Sequence, residues 1–312
     1  MALEWVRDNI EAFGGDADKI TLWVSKPSDY SRHNQLNTRK GQSAGAESTD
    51  IHNFAYADNP IAQGYFMSSG TVLLGLASPD PTHSNFTFAA SNLGCGGLNA
   101  SAELDCMKAV SFHDIQNFIG QYAQNNTPLS FSQAPIIPDD KIFFTNYSKR
   151  YAAGAYSKRP AMISNTENEG AVIPPFPPVN PLIVEAGTRM FLCGAANTST
   201  LRTDTGSITY RFEFAGNFSN VSPAPYLGAF HDSDLPYIFG TYTELRGPPT
   251  DIEVQVSEAM QDRILRFMDN PAKGPQELGW QPYSEGRMLL FGLDDTVVQD
   301  VFVQDIEAPC RA

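Results

Sequence analysis

The segment Gly41-Gln42-Ser43-Ala44-Gly45 constrains this chain more than any other. Glycines flanking a serine at this spacing suit a sharp strand-to-helix turn that holds the serine at its tip. Such a turn needs a buried strand running directly into it. Lys19-Ile20-Thr21-Leu22-Trp23 reads as that strand, but residues 24–40 intervene, and they are polar, aperiodic and interrupted by Pro27. Without them the text runs Ile-Thr-Leu-Trp-Gly-Gln-Ser-Ala-Gly-Ala, strand into turn into helix. Val24-Ser25-Lys26 can be encoded by a splice-donor sequence, and Leu36-Asn37-Thr38-Arg39 by a branch point followed by an acceptor. The expectation is that residues 24–40 are a translated intron and Met1 an internal or false start. A genuine loop insertion would need a further strand before Gly41, and residues 36–40 offer none.

The formal charge of −14 disfavours nucleic acid and anionic membranes as partners. No apolar run approaches the roughly 18 residues of a spanning helix. Glycosylation sequons begin at Asn85, Asn99, Asn125, Asn146, Asn197, Asn217 and Asn220. With four cysteines, they point to the secretory pathway. Yet Met1-Ala-Leu-Glu-Trp-Val-Arg-Asp has charges where a signal peptide needs an apolar core, so the mature start is expected upstream.

Along the chain, Leu3 to Phe13 reads as an amphipathic helix, with Leu3, Val6, Ile10 and Phe13 on one face. A helix rich in small residues follows Ser43, and Asp105 to Ala123 has a helical pattern. Pro135 to Phe144 reads as loop then strand. Ala161 to Asn165 is a short buried strand leading to the acidic loop Thr166-Glu167-Asn168-Glu169-Gly170. Prolines from Pro174 to Pro181 exclude regular structure and suit a rigid connection, or else a lid. Ile208 to Phe214 alternates as a strand, Ile252 to Asp269 is a helix, and Arg287 to Leu293 reads as the last strand. Strands alternating with helices imply a single α/β domain over residues 1–312, with a mainly parallel sheet.

A serine at such a turn needs a base and an acid later in the chain, each in a loop beyond a strand. Of the five histidines, His33 lies in the suspect stretch, His52 and His113 fall in helices, and His83 is in a polar turn. His231 follows the Ile208–Phe214 strand and is the candidate base. Glu169 is preferred over Glu167 as the acid, because Gly170 permits the tight backbone that aims a carboxylate inward. An imidazole can take the serine proton, and a carboxylate can fix the imidazole tautomer. The backbone N–H of Ala44 can face the oxyanion. No cofactor or metal is implied.

Residues 9–23, Gly41–Ala46, the Glu169-Gly170 block and His231 to Gly240 together resemble the type-B carboxylesterases, which include cholinesterases and secreted fungal lipases. The resemblance runs from Met1 almost to the end, interrupted at residues 24–40. It implies the C-terminal part of an α/β-hydrolase fold, and small-molecule or lipid esters as substrates. It further implies a Ser43–His231–Glu169 triad and bridges Cys95–Cys106 and Cys193–Cys310. Gln42 stands where cholinesterases carry glutamate, which argues against choline specificity, and Asp232 stands where the family more often has glycine. The family's N-terminal strands and His-Gly-Gly-Gly oxyanion loop do not occur here. Ile20–Trp23 is therefore expected at an unpaired edge, with poor folding and little hydrolysis. Rival expectations are a catalytically silent binding module and a nonfunctional gene remnant.

Overall fold

The computed structural model describes residues 2–23, 42–75, 80, 82–125, 136–172 and 180–311. The intron reading of residues 24–40, the turn glycine Gly41 and the proline segment 173–179 fall outside the described residues. Six strands form one sheet in chain order: β1 (Thr21–Leu22), β2 (Gly64–Ser68), β3 (Ala161–Thr166), β4 (Thr209–Phe214), β5 (Arg287–Phe291) and β6 (Val298–Phe302). Pairing is parallel from β1 to β5, and β6 returns antiparallel on β5. The helices are α1 (Ala2–Asn9), α2 (Ala44–Ala55), α3 (Ser84–Asn92), α4 (Ala100–Ala109), α5 (Phe112–Asn125), α6 (Tyr147–Ala152), α7 (Pro181–Asp204), α8 (Leu235–Ile238) and α9 (Asp251–Asp269). Two compact units result, Met1–Leu74 with Asn146–Ala312, and Gly75–Thr145.

Both faces of the sheet are covered, as expected of parallel strands joined by helices. Phe66, Met162, Tyr210, Phe212 and Phe214 pack on Val256, Met260, Ile264 and Phe267 of α9. Tyr65, Met67 and Ile163 point the other way, toward Ala46 of α2 and Ala195 of α7. Full burial of one such apolar side chain is worth about 1.5–3 kcal/mol. A capping box starts α9: Thr250 Oγ1 accepts from Glu253 N, and the Glu253 carboxylate accepts from Thr250 N. Among the described residues no helix is long and apolar enough to cross a membrane.

The alternation of β4 suggests one wet face, but all six residues are buried. Its polar side chains find partners instead of water. Arg211 pairs with Glu307 at 3.1 Å and donates to Asn165 Oδ1, Ile163 O and Phe212 O, while Asn165 donates to Glu213. Cys193–Cys310 ties α7 to this C-terminal segment.

Other expectations shift in detail. The first helix gives way after Asn9 to a 3₁₀ turn, Ile10–Phe13, and Gly14 ends it at φ 80°. Leu3 packs on the sheet, whereas Phe13 is 72% exposed. Pro181, expected in irregular chain, is the first residue of α7, with Asn180 Oδ1 accepting from Leu182 N. The expected last strand stops at Phe291. Gly292, Asp294 and Asp295 all take positive φ, and the chain turns back as β6.

In the Gly75–Thr145 unit, Ala90, Cys95 and Met107 form a small core reinforced by the Cys95–Cys106 bridge. The single helix expected over Asp105–Ala123 is two. Val110 is extended, and Ser111 starts α5 by accepting from Asp114 N and Ile115 N. The strand expected before Phe144 is also absent among the described residues. Asp139 Oδ1 captures the N–H groups of Lys141, Ile142 and Phe143, which a strand would need for its neighbour.

Candidate active site

The site is assembled at the carboxyl ends of β2, β3 and β4. Gln42 bridges Ser68 in parallel fashion, Ser43 N donates to Ser68 O, and α2 begins at once with Ala44. Ser43 bears the cost of the turn, at φ 61° and ψ −124°. Such a conformation is uncommon for any residue but glycine and persists only where surroundings impose it. Gly70 is part of that imposition, since a Cβ there would lie 2.5 Å from Ser43 O. Ala44 is at the first helical position, where an N–H has no intrahelical acceptor and remains free to face an anion.

Glu169 lies just beyond β3, fully buried, with Oε1 accepting from Thr166 N at 2.8 Å. Gly170 is required there by packing and not by a special φ. A Cβ would stand 1.9 Å from Val184 O of α7. Glu167, the competing acid, is exposed.

His231 is brought to Glu169 by a short zipper between their two loops. Asn168 bridges Phe230, Asn168 N donates to Ala229 O, and its side chain donates to Tyr226 O and Leu227 O. Asp232 takes φ 81°, which explains why glycine would suit this position. Glu169 Oε2 hydrogen-bonds His231 Nδ1, and the Phe191 ring packs 4.7 Å from the imidazole. Burial works against the charged imidazole, but the Glu169 charge and hydrogen bond, helped by Asp232 and Asp234, hold its pKa above the ordinary value.

With Nδ1 protonated toward a carboxylate, Nε2 is left as the acceptor. Gln42 Nε2 lies 2.8 Å from it and 3.1 Å from Nδ1, over the ring, and among the described residues Ser43 Oγ makes no hydrogen bond. The structure thus has a half-buried serine at a strained turn, and an imidazole held by a buried carboxylate. Residues of these types can serve nucleophilic acyl transfer. Of the residues named from sequence, Glu169 and His231 meet directly, and Ser43 and Ala44 follow Gln42, whose side chain touches the His231 ring. His52, His83 and His113 lie elsewhere, on α2, before α3 and in α5, and His33 is outside the described residues.

Asp234 has no counterpart in the sequence reading. It is fully buried, its Oδ2 accepts a hydrogen bond from the Ser68 hydroxyl at 3.2 Å, and its Oδ1 has no partner among the described residues. The run His231-Asp232-Ser233-Asp234 reads as a solvated turn, and nothing in it signals burial. Burial first, then the charges of Glu169 and Asp232, push Asp234 up to about 7. Desolvation likewise raises Glu213 and Glu47 to about 7. A raised folded-state pKa contributes stability that is complete below the unfolded value near pH 4 and lost as pH climbs through about 7. Each group is worth on the order of 3 kcal/mol. Thermal unfolding followed by circular dichroism is expected to give a clearly higher midpoint at pH 5 than at pH 8. Equal midpoints would contradict these assignments.

Of the sequon asparagines, Asn99, Asn146, Asn197 and Asn217 are exposed and Asn85 is partly so, while Asn220 is buried and accepts from the Tyr237 hydroxyl.

The model of the carboxylesterase family matches residues 1–185 and 179–305. The chain is 35% identical to Secreted lipase 5 of Gibberella zeae over 97% of its own length and 57% of that protein. It is 37% identical to chlorogenic acid esterase of Aspergillus niger over 99% of its length and 60% of that protein. Para-nitrobenzyl esterase of Bacillus subtilis is 25% identical over 95% of this chain. The chain spans about three-fifths of the length of these curated relatives. The mixed sheet and its helices are those of the α/β-hydrolase fold.

Proposed function

The chain belongs to the carboxylesterase family, and on that premise we propose that it is part of a carboxylic ester hydrolase working through an acyl-enzyme. Ser43 attacks the ester carbonyl while His231 Nε2 takes its proton. Glu169 holds the ring tautomer and stabilises the imidazolium. The Ala44 N–H stabilises the tetrahedral oxyanion. The imidazolium then protonates the departing alcohol, and water, activated by the same nitrogen, releases the acid. One observation carries this reading: Glu169 sits on His231 Nδ1 beside a serine held at φ 61° between strand and helix.

Turnover is slow on this reading, because among the described residues the His231 ring touches Gln42 and not Ser43. The same contact favours the second reading, a silent binding module. Disulfides and exposed sequons, with relatives named secreted lipase and chlorogenic acid esterase, support an extracellular glycoprotein that acts on small-molecule or lipid esters. Release of nitrophenol from nitrophenyl acetate separates the two readings. A rate above that of Ser43→Ala is expected, and equal rates from pH 5 to pH 9 would overturn the hydrolase.

A further inference from the structure

The proposed chemistry makes no use of Asp50, a fully buried carboxylate two turns along α2 from Ser43 and on the same side of the helix. Its two oxygens serve different neighbours. Oδ2 accepts from Val72 N at 3.1 Å, in the turn that follows β2. Oδ1 accepts from the Tyr151 hydroxyl of α6 at 2.6 Å and from Asn53 Nδ2 at 3.1 Å. Burial raises the pKa of Asp50, and these three bonds and the Arg202 charge oppose the rise. An apolar side chain would fill the same space without the desolvation penalty, so the bonds themselves need a reason.

The Val72 end supplies one. Between β2 and Val72 the chain runs Ser69-Gly70-Thr71, with Ser69 at φ 52°. Gly70 lies so close to the nucleophile turn that a Cβ there would stand 2.5 Å from Ser43 O and 3.2 Å from Ala46 Cβ. At the end of β2, Ser68 O accepts from Ser43 N. This loop is the wall against which Ser43 keeps its uncommon φ and ψ. Asp50 fastens the far end of the wall to the helix that Ser43 caps.

We propose that Asp50 is a positioning residue for the nucleophile, a bracket between α2 and residues 69–72 that holds Ser43 in its reactive geometry. The inference rests on the acyl-transfer reading given above. Asp50 handles no proton of the reaction and acts through Val72 and Gly70. A misplacement of about 1 Å at a reacting atom can cost on the order of 10²-fold in rate, which sets the size of the expected effect.

Amide hydrogen exchange followed by NMR in the full chain tests the bracket without requiring turnover, and phosphonylation of Ser43 tests its consequence. Asp50→Leu removes the acceptor at similar volume. Relative to the amides of β3, Val72 N–H and Ser43 N–H are then expected to exchange roughly 10-fold faster or more, because a hydrogen bond to a charged group is lost. Ser43 should react with a fluorophosphonate about 10²-fold more slowly. Tyr151→Phe takes one bond from the same carboxylate and leaves the Val72 bond in place. It should lower the midpoint of thermal unfolding while both Ser43 readouts stay near those of the unaltered chain. Asp50→Asn retains an acceptor for Val72 N and should recover most of the reactivity. Faster exchange at Val72 with Ser43 unchanged in exchange and reactivity would overturn the proposal, as would equal losses in Asp50→Leu and Tyr151→Phe. If the leucine variant does not fold, the unaltered chain decides. At low denaturant its Val72 and Ser43 amides must open in one step, and a Ser43 N–H that stays protected after Val72 opens would overturn the bracket. Coupled opening in a chain whose Ser43 takes no phosphonate would instead count against the hydrolase reading alone.

Discussion

Exchange of Glu169 for glutamine is expected to slow acylation of Ser43 by about 10⁴-fold with little loss of folded structure. Shape is almost unchanged, so the effect comes from protons. Thr166 N donates to one oxygen of Glu169 and would continue to donate to the carboxamide oxygen of the replacement side chain. That fixes the new NH₂ group toward His231 Nδ1. The imidazole must then accept at Nδ1 and carry its proton on Nε2, the tautomer that cannot take a proton from serine. Second-order rates of nitrophenyl ester hydrolysis or phosphonate inactivation measure this. A loss of less than tenfold would show that the buried carboxylate does not govern the ring.

Loss of Glu307 is the second large expectation, and it acts on stability. Arg211 is fully buried, and its guanidinium is neutralised by Glu307 Oε1 while Glu307 Oε2 accepts from the Tyr283 hydroxyl. Removing one partner of a buried pair strands the other charge away from water, at a cost of about 3–5 kcal/mol. Glu307→Leu should lose that much in urea unfolding. Arg211→Leu combined with Glu307→Leu should lose clearly less than the two singles added together, because no charge is then left unpaired. A single-variant loss below about 1 kcal/mol would mean that the pair is not what anchors β4 to the C-terminal segment.

Legibility in the sequence followed how local each cause was. Ser43, Glu169 and His231 could be chosen because turn chemistry and chain order are written in neighbouring residues. The bridges came from the resemblance, and both are present. By contrast α7, the longest described helix, was not anticipated. Its buried positions are Gly187, Leu192, Gly194, Ala195, Ala196, Thr198, Ser199 and Arg202, mostly small or polar residues that carry little hydrophobic periodicity. The alternation of β4 suggested a wet face because Arg211 and Glu213 look solvated until Glu307 and Asn165 are brought from other parts of the chain. Asp234 is hidden for the same reason. Its environment is made by Ser68 and Glu169, both distant in sequence. The break at Ser111 and the loop at Asp139 were missed although their causes are local, side chains that capture nearby backbone N–H groups.

The central claim is that Ser43 is a nucleophile activated by His231. Covalent labelling with a fluorophosphonate, followed by intact mass and peptide mapping, tests it most directly. The expected result is one phosphonyl adduct per chain, located on Ser43, absent in Ser43→Ala and formed far more slowly in His231→Gln. No adduct on Ser43 under prolonged exposure, or labelling of Ser43→Ala at the same rate, would contradict it.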